Sequence, residues 1–169
     1  VLFSQPHADK ALIFGGMLRD DWLAFTFRIL FLFSAAITAL LSTGVQGVRH
    51  KGEFYALLVI ATLGMNLMAA AADLVMLYLA IETTSIPLYV LAGFLKQDEK
   101  STESGLKYFL FGALTSTVML YGFSLLYGLA GATNLYLLAE LFRAGAISVW
   151  VLAGALILVL VGFGFKVSM

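Results

Sequence analysis

From Trp22 onward, long runs of apolar side chains alternate with short polar stretches. About 20 predominantly apolar residues are enough to cross the hydrocarbon core of a bilayer as a helix. Five runs meet that condition: Trp22 to Thr43, Phe54 to Ala71, Leu74 to Leu95, Ser104 to Leu129, and one from Ser148 that is still apolar at Met169. Asp73 alone marks the break between the second and third, which predicts a tight helical hairpin there. The remaining connections, Gly44–Glu53, Lys96–Thr102 and Ala130–Ile147, are polar. Residues 1–21 read as irregular, or as the tail of an earlier span followed by a polar loop. The pattern predicts an all-α, polytopic integral membrane protein, with residues 22–169 forming one helical transmembrane unit.

Composition sharpens this picture. The chain is 62% hydrophobic and 12% charged, where a soluble domain carries about 25% charged residues; its mean hydropathy is +0.98. The net charge is zero, so no basic surface points to nucleic acid. There is no cysteine, which excludes disulfides, thiolate-bound zinc and cysteine-ligated iron–sulfur clusters in this chain. His7 and His50 both fall outside the apolar runs, which leaves no bis-histidine haem site within the membrane. Val1 and Met169 read as cuts in a longer protein. The polar loops also orient the chain: Arg49, Lys51, Lys96 and Lys100 lie on one side, and Lys10, Arg19 and Arg143 on the other. The excess of basic residues assigns the first side to the cytoplasm.

Against this background a few polar residues stand out. Glu82 lies about 12 Å along the third span at ~1.5 Å rise per residue, close to the membrane midplane. A carboxylate there costs about 2.5–3.5 kcal/mol on insertion scales, so such a residue is a functional candidate by default. Tyr78, Ser85 and Tyr89 share its helix face, and Pro87 removes a backbone donor one turn on. The alternative for Glu82 is a protonated acid acting as packing glue between helices. Lys166, preceded by Gly162 and Gly164, is the second candidate. Paired glycines loosen a helix or admit a close neighbour; a lysine that merely closes the span and reaches the interface is the alternative. Gly162-Phe-Gly164 lacks the third glycine and the strand of a nucleotide loop.

The other polar residues are weaker candidates. Lys107 has Glu103 four residues before it, a favourable helical ion pair, so a solvated pair at the helix mouth competes with a transport role. Arg28 is expected to extend toward its near interface, Asp73 to cap the third helix, and Asn66 to bond between helices. Gly112 and Ser116 form a small-residue packing face. Burial disfavours the charged form of an acid or a base, and a nearby opposite charge restores it. If Glu82 and Lys166 approach one another, each governs the proton on the other.

Several segments carry a resemblance. Gly52-Glu-Phe-Tyr-Ala-Leu-Leu through Ala61-Thr-Leu-Gly-Met, Leu77-Tyr-Leu-Ala-Ile-Glu82-Thr-Thr-Ser-Ile-Pro87, Leu106-Lys107-Tyr-Phe-Leu-Phe-Gly112, Tyr121-Gly-Phe-Ser-Leu-Leu-Tyr-Gly128 and Gly162-Phe-Gly-Phe-Lys166-Val-Ser occur in family order. Together they resemble the subunit N family of respiratory complex I, the proton-translocating NADH:quinone oxidoreductase. These are antiporter-like subunits, related to Mrp-type cation/proton antiporters and membrane-bound hydrogenases.

The resemblance implies a fourteen-helix fold with two inverted five-helix units, of which the spans here would be the third to seventh helices and thus the first inverted unit. It implies that Glu82 and Lys166 form the charged pair of a proton half-channel entered from the cytoplasmic side, with Lys107 on a recurring lysine position. It also implies that NADH, FMN and iron–sulfur clusters belong to partner subunits, that quinone is the electron acceptor of the complex, and that this chain binds none of them. The partners implied are other membrane subunits, the lipid bilayer and protons, in a bacterial cytoplasmic membrane. An Mrp-type antiporter or a membrane-bound hydrogenase subunit is the alternative. In relatives the Lys-x-Ser segment runs on into a Pro-Phe-His-x-Trp stretch and an eighth-helix lysine, none of which lies within these residues.

Overall fold

A computed structural model describes residues 12–44, 51–145 and 148–167. Its elements are a hairpin, β1 (Leu12–Ile13) and β2 (Leu18–Arg19), followed by α1 (Trp22–Ser42), α2 (Lys51–Ala70), α3 (Leu74–Ala92), α4 (Glu99–Ala130), α5 (Leu135–Arg143) and α6 (Val149–Lys166). Five of the helices, all but α5, are long and apolar enough to cross a membrane. The chain forms two compact units, Val1–Leu106 and Lys107–Met169.

In the first unit, α2 and α3 form an antiparallel pair joined by the turn Ala71-Ala72-Asp73. The Asp73 carboxylate is buried and accepts from the backbone N–H of Val75 at 2.8 Å and Met76 at 3.3 Å. It is therefore the N-cap of α3, satisfying donors that a helix start leaves open. Small side chains line the contact: Gly64 on α2 faces Ala80 and Thr84 on α3, and Ala61 and Ala80 are fully buried. Between membrane helices the driving force is close packing, which small residues allow. Outward-facing positions are large and apolar; Phe33 is 67% exposed and Leu41 74%. On α3 the exposed positions Val75, Leu79, Ile86 and Val90 recur at helical spacing and define an outward-facing apolar stripe.

Residues 12–19 are not irregular. Leu12 pairs with Arg19 and Ile13 with Leu18, and Gly15 (φ 66°) and Gly16 (φ 90°) supply the left-handed turn between them. The hairpin folds onto the α2–α3 turn: Ala72 N–H donates to Met17 O at 2.9 Å, Leu18 bridges to Ala71, and Arg19 donates to Ala69 O at 3.3 Å. Leu18, Ala24 and Ala70 form a buried cluster under it. A cavity of about 650 Å³ runs between α1 and α2, with apolar walls apart from Arg28, Tyr55, Thr62 and Asn66.

Arg28 also departs from expectation. It does not extend to the interface; it is 8% exposed and its guanidinium meets Asp20 at 3.3 Å. The hairpin brings that carboxylate back over α1, giving the charge a partner inside the protein. Asn66 differs as well: its side chain donates to Thr62 O on its own helix at 2.7 Å.

The second unit contains α4 from Lys107 onward, α5 and α6. The buried positions of α4 are Gly112, Ser116, Met119, Gly122, Phe123 and Leu126, a stripe at helical spacing. Ala155, Val159 and Gly162 form the matching stripe on α6. A Cβ on Gly122 would come within 2.9 Å of Val159 N, and one on Gly162 within 2.5 Å of Met119 Cβ, so each helix contributes one glycine that admits a side chain or backbone of the other.

The connection expected to be only polar holds α5. Asn134 caps it by accepting from Tyr136 N–H at 3.0 Å and Leu137 N–H at 3.3 Å, and Leu138 is its buried anchor. Helix α4 stops at Gly131, whose φ of 66° and bond to Tyr127 O at 2.7 Å form a left-handed C-terminal cap. At its other end α4 begins at Glu99, a turn and more before the expected Ser104. Asp98 accepts from Lys100 N–H at 3.1 Å and extends the helix through its charged turn. The loop charges Lys10 and Arg49, with His7 and His50, lie outside the described residues.

Candidate functional site

Glu82 sits eight residues into α3, which runs without interruption through Pro87. Tyr78, Glu82, Ser85 and Tyr89 occupy one face: Ser85 and Tyr89 are buried, and Tyr78 and Glu82 half-buried. This polar stripe borders the outward-facing apolar stripe, and its C-terminal half is buried.

The turn carrying Glu82 has an unusual hydrogen-bond pattern. Thr83 Oγ1 donates to Leu79 O at 2.7 Å, Thr84 Oγ1 to Ala80 O at 3.0 Å and Ser85 Oγ to Ile81 O at 2.8 Å. Each of these carbonyls is also a helical acceptor, and shared acceptors of this type bend helices. Pro87 has no N–H to offer the Thr83 carbonyl, which extends the weakened region toward the C-terminus. The sequence carries the signal for this in three successive hydroxyl residues, Thr83, Thr84 and Ser85, shortly before Pro87.

Lys166 is the last residue of α6 and half-buried. The helix passes intact through Gly162 and Gly164; of the two roles open to this pair, Gly162 admits a close neighbour, Met119. A lysine at a helix C-terminus is favourably placed toward the helix dipole. Val167 N–H closes the last turn on Phe163 O at 3.0 Å. Lys107 is exposed on α4. Its neighbour Tyr108 meets Phe165, the neighbour of Lys166, with ring centroids 5.9 Å apart. The second unit thus brings the chain segments of Lys107 and Lys166 together, whereas Glu82 belongs to the first unit. Gly112 and Ser116 are buried on α4, as a packing face requires. Among the described residues, no group of three or more His, Asp or Glu side chains is placed to hold a metal ion. Glu82, Lys107 and Lys166 are thus ionisable groups carried on apolar helices.

The chain is similar to known membrane proteins. A family model described as "NADH:quinone oxidoreductase/Mrp antiporter, TM" matches residues 71–169. The chain is 42% identical over 166 residues to NADH-quinone oxidoreductase subunit N of Desulfitobacterium hafniense, covering 96% of this chain and 33% of that protein. It is 41% identical over 168 residues to NADH-quinone oxidoreductase subunit N 1 of Roseiflexus castenholzii, covering 92% and 31%.

Among solved structures, it is similar to a chain of respiratory complex I from Thermus thermophilus with bound aureothin, at 36% identity and a TM-score of 0.74, covering 96% of this chain and 33% of that one. It is also similar to a chain of the membrane-bound sulfane sulfur reductase, an archaeal respiratory membrane complex, at 26% identity and a TM-score of 0.78, covering 95% and 33%. The chain spans about a third of the length of these relatives.

Proposed function

The chain belongs to the NADH:quinone oxidoreductase/Mrp antiporter transmembrane family, and from that premise we propose that it is part of a proton-translocating membrane subunit of an NADH:quinone oxidoreductase. The observation that carries the reading is the half-buried Glu82 at mid-span, on a polar stripe whose helix turn is locally weakened. An ionisable group at that depth marks ion and proton pathways. The names of the relatives favour this over an Mrp-type antiporter, which shares the family.

In this reading Glu82 accepts a proton from the cytoplasmic side, and Lys166 is a second proton-carrying group of the same subunit. Lys107 is a further proton-carrying group, on the helix that approaches Lys166 through Tyr108 and Phe165. Electron transfer from NADH through FMN and iron–sulfur clusters to quinone occurs in partner subunits, and this chain holds no redox group. Other membrane subunits of the complex are its partners, and the bacterial cytoplasmic membrane is its location.

The test is Glu82→Gln in the full-length subunit of the intact complex. Proton pumping and coupled quinone reduction are expected to fall by about 10²-fold, the lower end of what a positioned proton-transfer group contributes. Pumping at the normal rate in a fully assembled complex would overturn the reading.

A further inference from the structure

The turn of α3 that carries Glu82 is flanked by three successive back-bonding hydroxyls and a proline. The carbonyls of Leu79, Ala80 and Ile81 are each shared with a hydroxyl from the next turn, and the Thr83 carbonyl faces a proline that cannot donate. Back-bonding and a proline both bend a helix. A neighbouring helix can then set how far the turn bends.

Helix α2 provides the seat. A Cβ on Gly64 would meet the Thr84 side chain, and would lie 2.6 Å from Thr84 N and 2.9 Å from Ala80 O. Two of these three atoms are backbone, so no rotamer change makes room. Ala80 and Thr84 bracket Glu82 by two residues on either side, so the contact supports the same turn that presents the carboxylate. Thr84 is buried against this seat and is also one of the three hydroxyl donors.

We propose that Gly64 and Thr84 are positioning residues for Glu82: the missing side chain at Gly64 lets the soft turn of α3 rest on the α2 backbone, and the Thr84 hydroxyl sets its curvature. Together they fix the depth and rotation of the carboxylate. This rests on the reading of Glu82 as the proton-bearing group. A displacement of about 1 Å at such a group can cost ~10²-fold in rate.

The experiment measures quinone-coupled proton pumping per assembled complex for Gly64→Ala, Glu82→Gln and the double variant. Gly64→Ala is expected to lower the rate about tenfold in the wild-type background and to change it less than about twofold in the Glu82→Gln background, because residues that act through one group are not additive. Equal losses in both backgrounds would mean a general packing role and overturn the proposal, as would an unchanged rate in Gly64→Ala while Glu82→Gln is impaired. If Glu82→Gln itself pumps normally, the proton-path reading fails and the positioning role falls with it. Should Gly64→Ala not assemble, Thr84→Val takes its place in the same cycle. It keeps the side-chain volume and removes the hydroxyl bond, and the same non-additive loss is expected; a rate equal to wild type, or equal losses in both backgrounds, overturns the proposal.

Discussion

The guanidinium of Arg28 meets the carboxylate of Asp20 at 3.3 Å, with 10% and 14% of the two side chains exposed. The pair lies where the hairpin folds over the start of α1, so it ties an extramembrane element to a membrane helix. Removing one partner strands a buried charge, at a cost of about 3–5 kcal/mol, whereas replacing both by apolar residues is nearly neutral. Asp20→Ala should therefore lower the thermal midpoint of the purified complex and its assembled yield. Adding Arg28→Met should restore most of both; a double variant as unstable as the single one would argue against a paired role.

Asp73 caps α3 at the turn that the hairpin grips. Loss of such a cap costs about 1 kcal/mol. Asp73→Ala should destabilise the protein by that amount in a heat-denaturation series, and Asp73→Asn, which keeps an acceptor, should stay close to wild type.

The second unit depends on glycine at its helix crossing. Gly122→Ala would force a Cβ to within 3.0 Å of Ala155 O and 2.9 Å of Val159 N. Overpacking of this kind costs about 1–3 kcal/mol. Reduced assembly of the full-length subunit is expected on native gels, with no matching loss for Gly154→Ala, where the added Cβ would meet nothing within 4 Å.

Lys166→Ala should reproduce the Glu82→Gln phenotype, with pumping and coupled quinone reduction down by about 10²-fold if the lysine is a proton carrier. Quinone reduction that proceeds at full rate with full pumping would leave Lys166 as no more than the closing residue of α6.

Much of this molecule could be read in its sequence, and the exceptions share a cause. Membrane spans depend on length and apolarity alone, so five of the helices were legible from the apolar runs. The Asp73 cap was legible because its partners are two and three residues away. Helix α5 was not: nine residues with one buried anchor, Leu138, are too short for periodicity to separate from a loop. The hairpin was hidden because two-residue strands carry no alternation. Arg28 was read as reaching toward water because its partner arrives through that hairpin. Glu82 stood out through its cost in lipid, a property of the residue itself. The support from Gly64 lay beyond reach, since it exists only once α2 and α3 are in register.

Helix α4, with its 32 residues, is about 48 Å long at ~1.5 Å per residue, against about 30 Å of hydrocarbon. The excess lies at least partly at the Glu99 end, where the first two turns carry Glu99, Lys100 and Glu103. Such charges act as a float line: they resist being drawn into an acyl layer, and a helix longer than the hydrocarbon is accommodated by tilting, kinking or local thickening. Lys107 follows about 12 Å along the helix from Glu99, within a long side chain's reach of that charged end.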